Sequence, residues 1–258
     1  MNSHFGIIDI AGFPKDSFFY YKSQWRADLS GAKSVVHMLP HWNWGNPAKC
    51  AGLCHSVYSN STGAKATSVD VWAYGGPDIA SLDLVVNGKT VAAKTSLPKQ
   101  GHVEWKAVPY EPGTATCNGY DANGKLLSSH VVKTAHAPVA ITATIEQGSQ
   151  GVYADKDDVI LVKLAVVDAA GTTHPTADNM ITFTVTGPGV VIGVGNGDPS
   201  SHEPDKAMQR SAWNGLARVV VQTTDKPGSI TITASSPGLK SASVTVSSKA
   251  PPHRLAYV

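Results

Sequence analysis

Long hydrophobic runs are missing from this sequence, and charge of either sign is sparse. Charged residues make up 16% of the chain, and the formal net charge is only +2. Lys and Arg are scattered, so the sequence lacks the basic stripe that is typical of nucleic-acid-binding proteins. No apolar run approaches the roughly 18 residues that a membrane-spanning helix needs. We therefore expect neither nucleic acid nor a membrane among the partners of this chain.

A secretion signal is also missing from the first residues. Residues 1–5 form neither a cationic region nor the start of an apolar core, so we expect no signal peptide in this chain. The hydrophobic content of 42% is typical of a globular protein and argues against a disordered chain.

Cysteine is scarce, with three residues in the chain, at Cys50, Cys54 and Cys117. A zinc site needs about four ligands, and only His41 and His55 lie near the first two thiols. We therefore favour a local disulfide or free thiols, and expect no metal ion and no cofactor. The odd number leaves at least one thiol unpaired within the chain.

Helical periodicity is confined to one short stretch near the start. Pro14 suits a first helical position, and Asp16 places a negative charge where the helix dipole favours it. Phe18, Tyr21 and Trp25 recur at spacings of three and four residues. This pattern predicts a helix that ends at about Trp25 and carries one apolar face. Phe19 and Tyr20 widen the apolar surface beyond this stripe, so we expect burial on more than one side of the helix.

The remainder of the chain has the pattern of strands and turns. Apolar residues alternate in segments such as 68–74, and Asn87-Gly88 and Asn123-Gly124 are typical of tight hairpins. Regularly spaced short strands are typical of β-sandwiches. We predict a mainly β protein with two tandem immunoglobulin-like β-sandwiches, preceded by one short N-terminal helix. The predicted boundaries are 1–30 for the helical segment, 31–135 and 136–248 for the two sandwiches, and 249–258 for a tail.

The densest polar cluster lies in residues 196–205, which include three carboxylates, a histidine and two serines. Carboxylate and carbonyl oxygens of such a loop could bind calcium. A Ser–His–Asp arrangement could hydrolyse a substrate, but the chain has no Gly-x-Ser-x-Gly motif. Asx and Ser turns explain the cluster without any ligand, and we favour this interpretation.

Trp42 and Trp44 are the candidate carbohydrate-binding residues, because sugars stack on exposed indoles. The alternative interpretation is that both indoles are buried at a domain interface. Trp72, Trp105 and Trp213 lie within strand patterns, so we expect these three in the core.

Several segments resemble glycoside hydrolase family 2, the β-galactosidase group, and they occur in the order of that family. The first two resemble the last helical segment of the family's (β/α)8 barrel and the junction after it, and the others resemble the two following β modules. These segments are residues 5–25, 37–44, 85–89, 108–113, 177–181 and 193–204. The resemblance implies the C-terminal region of such an enzyme, namely the end of the barrel plus two β-sandwich modules.

The resemblance carries over no catalytic residue. Family members are retaining glycosidases, and retention requires two carboxyl groups about 5–5.5 Å apart. In the family both are glutamates on barrel strands, and the acid/base directly follows an Asn. None of the glutamates of this chain follows an Asn, and they are Glu104, Glu111, Glu146 and Glu203.

Three functional hypotheses follow. The first is a set of non-catalytic accessory β modules from an enzyme that hydrolyses β-galactosides or related glycosides. The second is a small free-standing hydrolase that uses Glu104, Glu111 or the loop 198–205. The third is a carbohydrate-binding module that uses Trp42 and Trp44.

The expected partners follow from the same resemblance. They are carbohydrate, the barrel domain that the resemblance implies, and a second copy of the chain bound through the aromatic helix, since exposed aromatic patches seldom stay uncovered. The resemblance also implies a bacterial parent enzyme that is periplasmic or extracellular.

Overall fold

The computed structural model describes residues 6–25, 34–44, 68–146 and 151–251. Within these residues the chain is mainly β, with a single α-helix and four sheets. The predicted fold class is therefore confirmed. No helix of the described part is long and apolar enough to cross a bilayer. The chain divides into two compact units, which are described in turn.

Within the described part, the first unit contains residues 6–8, 14–25, 34–44 and 68–134. Three strands form one sheet in the order β1-β2-β5, and four form another in the order β4-β3-β6-β7. All neighbouring strands in both sheets are antiparallel. The elements are α1 Asp16–Trp25, β1 Val36–Leu39, β2 Ser68–Gly75, β3 Ser81–Val86, β4 Lys89–Ser96, β5 Val103–Pro109, β6 Thr114–Tyr120 and β7 Leu126–Lys133.

The core of the first unit follows from strand alternation. On β2, Val69, Val71 and Ala73 are at most 2% exposed, as the period of two predicts. The predicted hairpin between β3 and β4 is present at Asn87-Gly88, where φ is 49° and 80°. Positive φ at both central residues suits the tight turn that joins twisted antiparallel strands.

Helix α1 packs against β1 and β2 through Phe19 and Tyr20, which flank the stripe predicted from spacing. Phe19 stacks on His37 with ring centroids 4.2 Å apart, and Tyr20 meets Tyr74 edge-on at 5.6 Å. Trp25 is 69% exposed. Phe19 and Tyr20 are the residues expected to widen the apolar surface beyond the stripe, and this helix is aromatic around much of its circumference. Spacing alone therefore did not single out the packed side.

The second unit contains residues 9–13 and 135–251 within the described part. Its sheets have the orders β12-β14-β10-β8 and β13-β11-β15-β16-β9. The strands are β8 Ala140–Glu146, β9 Val152–Tyr153, β10 Val159–Val167, β11 Met180–Thr186, β12 Gly189–Gly195, β13 Gln209–Ser211, β14 Leu216–Thr223, β15 Gly228–Ser235 and β16 Ala242–Lys249.

One continuous core lies between these two sheets. Ile160, Leu164 and Phe183 are at most 1% exposed within it. Burial of each such side chain stabilises the fold by about 1.5–3 kcal/mol relative to an exposed one. The turn between β11 and β12 requires Gly187, whose φ is 90°. A Cβ at this position would lie 2.0 Å from the Ser229 carbonyl oxygen, so no larger residue fits.

A short segment from the start of the chain belongs to this second unit. The Asp9 carboxylate accepts hydrogen bonds from the backbone N–H groups of Ala11 and Phe13, each at 2.9 Å. Phe13 is 3% exposed, and the Arg218 guanidinium lies 4.6 Å from the centroid of its ring. This cation–π contact joins two parts of the sequence that lie far apart.

Candidate functional site

The two candidate carbohydrate-binding indoles lie in the core of the first unit. Trp42 is 1% exposed and Trp44 is 8% exposed. Trp42 Nε1 donates to the Glu111 carbonyl at 2.9 Å, and Trp44 Nε1 donates to the His41 carbonyl at 2.8 Å. Stacking of a sugar needs an exposed ring face. Neither indole presents such a face in this structure, and both belong to the core cluster of the first unit.

Trp72 lies on the outer face of its sheet. Trp105 is 9% exposed and belongs to the core as predicted, whereas Trp72 and Trp213 are only partly buried. The expectation that Trp72 and Trp213 lie in the core was therefore wrong. For Trp72, residues of one strand point alternately to opposite sides, and Val71 and Ala73 occupy the core side of β2.

Two side chains fix the orientation of Trp72. They are Glu104 on β5 and His102 just before β5. The indole lies parallel to the His102 ring, with an interplanar angle of 8° and centroids 4.4 Å apart. Trp72 Nε1 donates to Glu104 Oε1 at 2.6 Å. Trp72 and Glu104 are directly opposite in the register of β2 and β5. A partly exposed indole is thus held in one orientation at the surface.

Lys106 links the two carboxylates beside this indole. Its ammonium group donates to Glu104 Oε1 and, at 3.1 Å, to Asp70 Oδ2. We name the set of Asp70, Trp72, His102, Glu104 and Lys106 the Trp72 cluster. The side chains of Asp70, Glu104 and Lys106 are 28%, 29% and 64% exposed, respectively.

Hydrogen bonds keep these three side chains charged. The pKa of Asp70 is lowered, chiefly because its carboxylate accepts the backbone N–H of Ala107. The pKa of Glu104 is lowered first by the hydrogen bond from Lys106, whose own pKa is raised by the same contact. At neutral pH these three side chains therefore carry two negative charges and one positive charge.

The polar loop 196–205 is organised around a buried arginine. Arg210 is 2% exposed and donates from Nη1 to the Glu203 carbonyl and to Asp205 Oδ1, each at 3.0 Å. Its Nη2 donates to Asn196 Oδ1 at 3.2 Å. The Glu203 carboxylate accepts the backbone N–H of Ser211 at 2.9 Å. The loop thus satisfies both Nη atoms of Arg210. The buried Nε has no hydrogen-bond partner among the described residues and lies 3.6 Å from Glu203 Oε2.

Asx-type turns complete the same loop. Asn196 Oδ1 accepts the N–H of Asp198 at 3.0 Å, and Asp198 Oδ1 accepts the N–H of Ser200 at 2.8 Å. These contacts support the turn interpretation. Over the described ranges, no group of three or more His, Cys, Asp or Glu side chains could hold a metal ion. No pattern in the sequence indicated Arg210, since this residue lies outside the loop, on strand β13.

A second set of contacts that the sequence did not indicate is a pair of stacked histidines. His37 is 6% exposed, and its Nε2 lies 2.8 Å from Asp16 Oδ1 of α1. The His37 and His130 rings are 4.4 Å apart. His130 Nδ1 accepts the N–H of Met38 at 2.9 Å. Burial, together with the neighbouring His37, lowers the pKa of His130 to about 4, so this ring is neutral at neutral pH.

Cys117 is free and buried among the core residues of the first unit. Burial raises the pKa of its thiol far above the ordinary value, so it is not a nucleophile near neutral pH. Cys50, Cys54 and His55 lie outside the described residues.

Family models match both halves of the chain. Residues 143–245 match the model described as glycoside hydrolase family 2 C-terminal domain 5. Residues 66–128 match a model described as a domain of unknown function, DUF4982.

Full-length relatives are similar over nearly the whole chain. The chain is 35% identical over 248 residues to the beta-galactosidase BoGH2A of Bacteroides ovatus, covering 96% of this chain and 26% of that protein. It is 30% identical over 244 residues to a beta-glucuronidase of Formosa agariphila, covering 94% of this chain and 22% of that protein.

A solved structure shares the fold. A beta-glycosidase from Bacteroides vulgatus aligns with a TM-score of 0.76 and 26% identity, over 95% of this chain and 28% of that one. The chain therefore spans about a quarter of the length of the curated relatives it matches.

Proposed function

Because this chain corresponds to the C-terminal region of glycoside hydrolase family 2 enzymes, we propose that it forms non-catalytic accessory β modules of such an enzyme. The proposed parent hydrolyses β-galactosides or related β-glycosides with retention of configuration. The names of the two relatives, a beta-galactosidase and a beta-glucuronidase, support this substrate class. The proposed role of the modules is to support the catalytic domain.

The observation that carries the non-catalytic role is that the chain spans about a quarter of its relatives' length and contains no glutamate that follows an Asn. The charge state of the carboxyl groups supports it. A retaining glycosidase needs one carboxyl group whose pKa is raised, so that it can act as a general acid. In the described part of the chain, every carboxyl group with a displaced pKa is displaced downward. These groups are Asp70, Glu104, Asp168 and Asp225.

The contacts of the glutamates support the same role. The Glu104 carboxylate binds Trp72 and Lys106, and the Glu203 carboxylate binds the backbone and hydroxyl of Ser211. Glu146 forms an ion pair with Arg218. Carboxylates held in this way act as hydrogen-bond acceptors and orient their neighbours.

Helix α1 supplies the proposed contact with the catalytic domain. Tyr21 and Trp25 are 39% and 69% exposed, and their ring centroids are 5.0 Å apart. Adjacent exposed aromatic rings of this kind commonly mark interaction sites. We propose that this pair contacts the catalytic barrel of the parent enzyme. The alternative partner is a second copy of the chain. Sedimentation velocity of the purified chain separates the two: a dimer that Trp25→Ala dissociates would favour the second copy.

An assay of hydrolysis tests the non-catalytic role. The purified chain is incubated with a chromogenic β-galactoside and a chromogenic β-glucuronide, beside the variants Glu104→Gln, Glu111→Gln and Glu203→Gln. We expect no turnover above buffer for any of them. Turnover that one substitution abolishes would overturn the proposal and locate an active site. Turnover that survives all three would point to other residues, unless it disappears on further purification as a contaminant.

A further inference from the structure

We propose that the Trp72 cluster is a binding site for a neutral β-linked sugar. In this site the pyranose ring stacks on the indole of Trp72, and its hydroxyl groups bond to Glu104 and Lys106. The proposal goes beyond the accessory role, and it rests on the geometry of the cluster, so the two can succeed or fail separately.

The position of Trp72 is the first support. The indoles of Trp42, Trp44 and Trp105 are buried in the core of this unit, whereas Trp72 is partly exposed on the other side of its sheet. His102 covers one ring face, and the proposed sugar takes the opposite face. Because the stacked imidazole and the Nε1 hydrogen bond already fix the ring, little side-chain freedom remains to be lost on binding.

Unused hydrogen-bonding groups beside the indole are the second support. Both donors to Glu104 reach Oε1, and in the described part of the chain Oε2 has no hydrogen-bond partner. The Lys106 ammonium has three N–H groups and uses two of them on Glu104 and Asp70. An acceptor and a donor are therefore available side by side. Sugar hydroxyl groups require both, since each can donate and accept.

Distortion of the same pair of strands is the third support. The register of β2 and β5 shifts between Val69 and Val71, which makes Asp70 the residue at an irregularity. Ala107, whose N–H binds Asp70, has a φ of 50°, which is unfavourable for a residue with a Cβ. Bulges and strained backbone are concentrated at functional sites, where they direct side chains.

The charges of the cluster select the class of sugar. Asp70 and Glu104 together outweigh the single ammonium of Lys106, so the site has a net charge of one negative unit. A uronic acid would bring a further carboxylate into this site, and like charges at short range repel. The site therefore favours neutral hexosides, such as β-galactosides, over glucuronides.

Binding can be followed at the indole N–H of Trp72 by NMR. The ¹⁵N-labelled 258-residue chain is titrated with lactose and, separately, with methyl β-glucuronide, and Trp72→Phe assigns the resonance. We expect a saturable shift of the Trp72 resonance with lactose, and binding of the glucuronide that is weaker by roughly five-fold or more. An unmoved Trp72 resonance in the lactose titration overturns the proposal. A glucuronide that binds as tightly as lactose overturns the charge argument.

Variants establish which side chains hold the sugar. Trp72→Ala should weaken lactose binding by on the order of ten-fold or more, as expected for the loss of an aromatic contact surface. Trp25→Ala is the matched control, because it removes an exposed indole elsewhere in the same unit. Glu104→Gln keeps an acceptor for Trp72 and should reduce the preference for lactose over the glucuronide. Unchanged lactose affinity in a folded Trp72→Ala variant, as judged by its amide spectrum, refutes the proposal.

Different experimental results would contradict the two proposals. A chain that binds lactose without hydrolysing it agrees with both. Hydrolysis contradicts the accessory role alone, and absence of binding contradicts the sugar site alone.

Discussion

Mild acid should destabilise the first unit through the stacked pair His37 and His130. The pKa of His130 is about 4 in the folded chain, against an ordinary value of 6.5. The folded state therefore binds fewer protons than the unfolded state between these two values. The free energy of unfolding is unaffected above pH 6.5, and it falls as the pH drops from 6.5 to 4.

The size of the effect follows from the same two values. At ~1.36 kcal/mol for each pH unit, the difference between 6.5 and about 4 corresponds to a loss of about 3 kcal/mol. His130 is only partly buried, and solvent screening reduces this figure to roughly 2 kcal/mol. The groups that face His130 are His37, Asp16 and the backbone of Met38. Burial and His37 favour the neutral ring, and Asp16 opposes them.

Denaturant unfolding at a series of pH values measures this loss. Five of the six tryptophans belong to the first unit, so fluorescence reports mainly on that unit. His130→Gln is the control, because a glutamine oxygen can accept the Met38 N–H and never becomes charged. Asp70, Asp168 and Asp225 also have lowered pKa values, but their contributions are lost only below about 3.8, outside this window. The contribution of Glu104 is lost below about 4.5 in both proteins, so it cancels in the comparison. Equal pH dependence of the wild type and His130→Gln between pH 6.5 and 4 would refute the reasoning.

Three substitutions test the packing, and two of them have a matched control, Gly238→Ala for Gly187→Ala and Trp25→Ala for Trp42→Ala. Gly187→Ala should destabilise the second unit by about 3 kcal/mol or more, because its Cβ would meet a carbonyl oxygen at 2.0 Å. Gly238→Ala, with a φ of 77° and open space around it, should cost about 1 kcal/mol in the same thermal unfolding assay. Trp42→Ala should cost about 3–5 kcal/mol, and Trp25→Ala close to nothing, which chemical denaturation would show. Arg210→Ala should cost roughly 3 kcal/mol and expose the loop 196–205 to proteases, and an unchanged digestion pattern would contradict the role of Arg210.

Strand patterns predicted the core well, because a period of two assigns every residue to one side of a sheet. Val69, Val71 and Ala73 are buried for this reason. The same pattern did not indicate that Trp72 is partly exposed, since the exposure of this side chain depends on what covers the outer side of the sheet. For the helix, the pattern did not show which side is packed. Its many aromatic residues gave little contrast between faces, and contact with β1 and β2 selected Phe19 rather than Trp25.

The candidate sites depend on contacts that no local pattern contains. Glu104 lies opposite Trp72 only because β5 pairs with β2 in a register that includes a shift. Arg210 organises a polar loop from a separate strand, and His130 reaches His37 from β7. The family resemblance, by contrast, was visible in the order of short motifs, and the match of residues 143–245 confirms it.

The contact between Phe13 and Arg218 has a consequence for synthesis on the ribosome. The second unit includes residues from the start of the chain, so it is not a continuous stretch of sequence. Phe13 emerges about 200 residues before Arg218 is made, which at roughly 5–20 residues per second is a delay of about 10–40 s. During that interval this apolar ring lacks the guanidinium that covers it in the finished fold. The nascent chain must therefore keep residues 9–13 available until strand β14 has been translated.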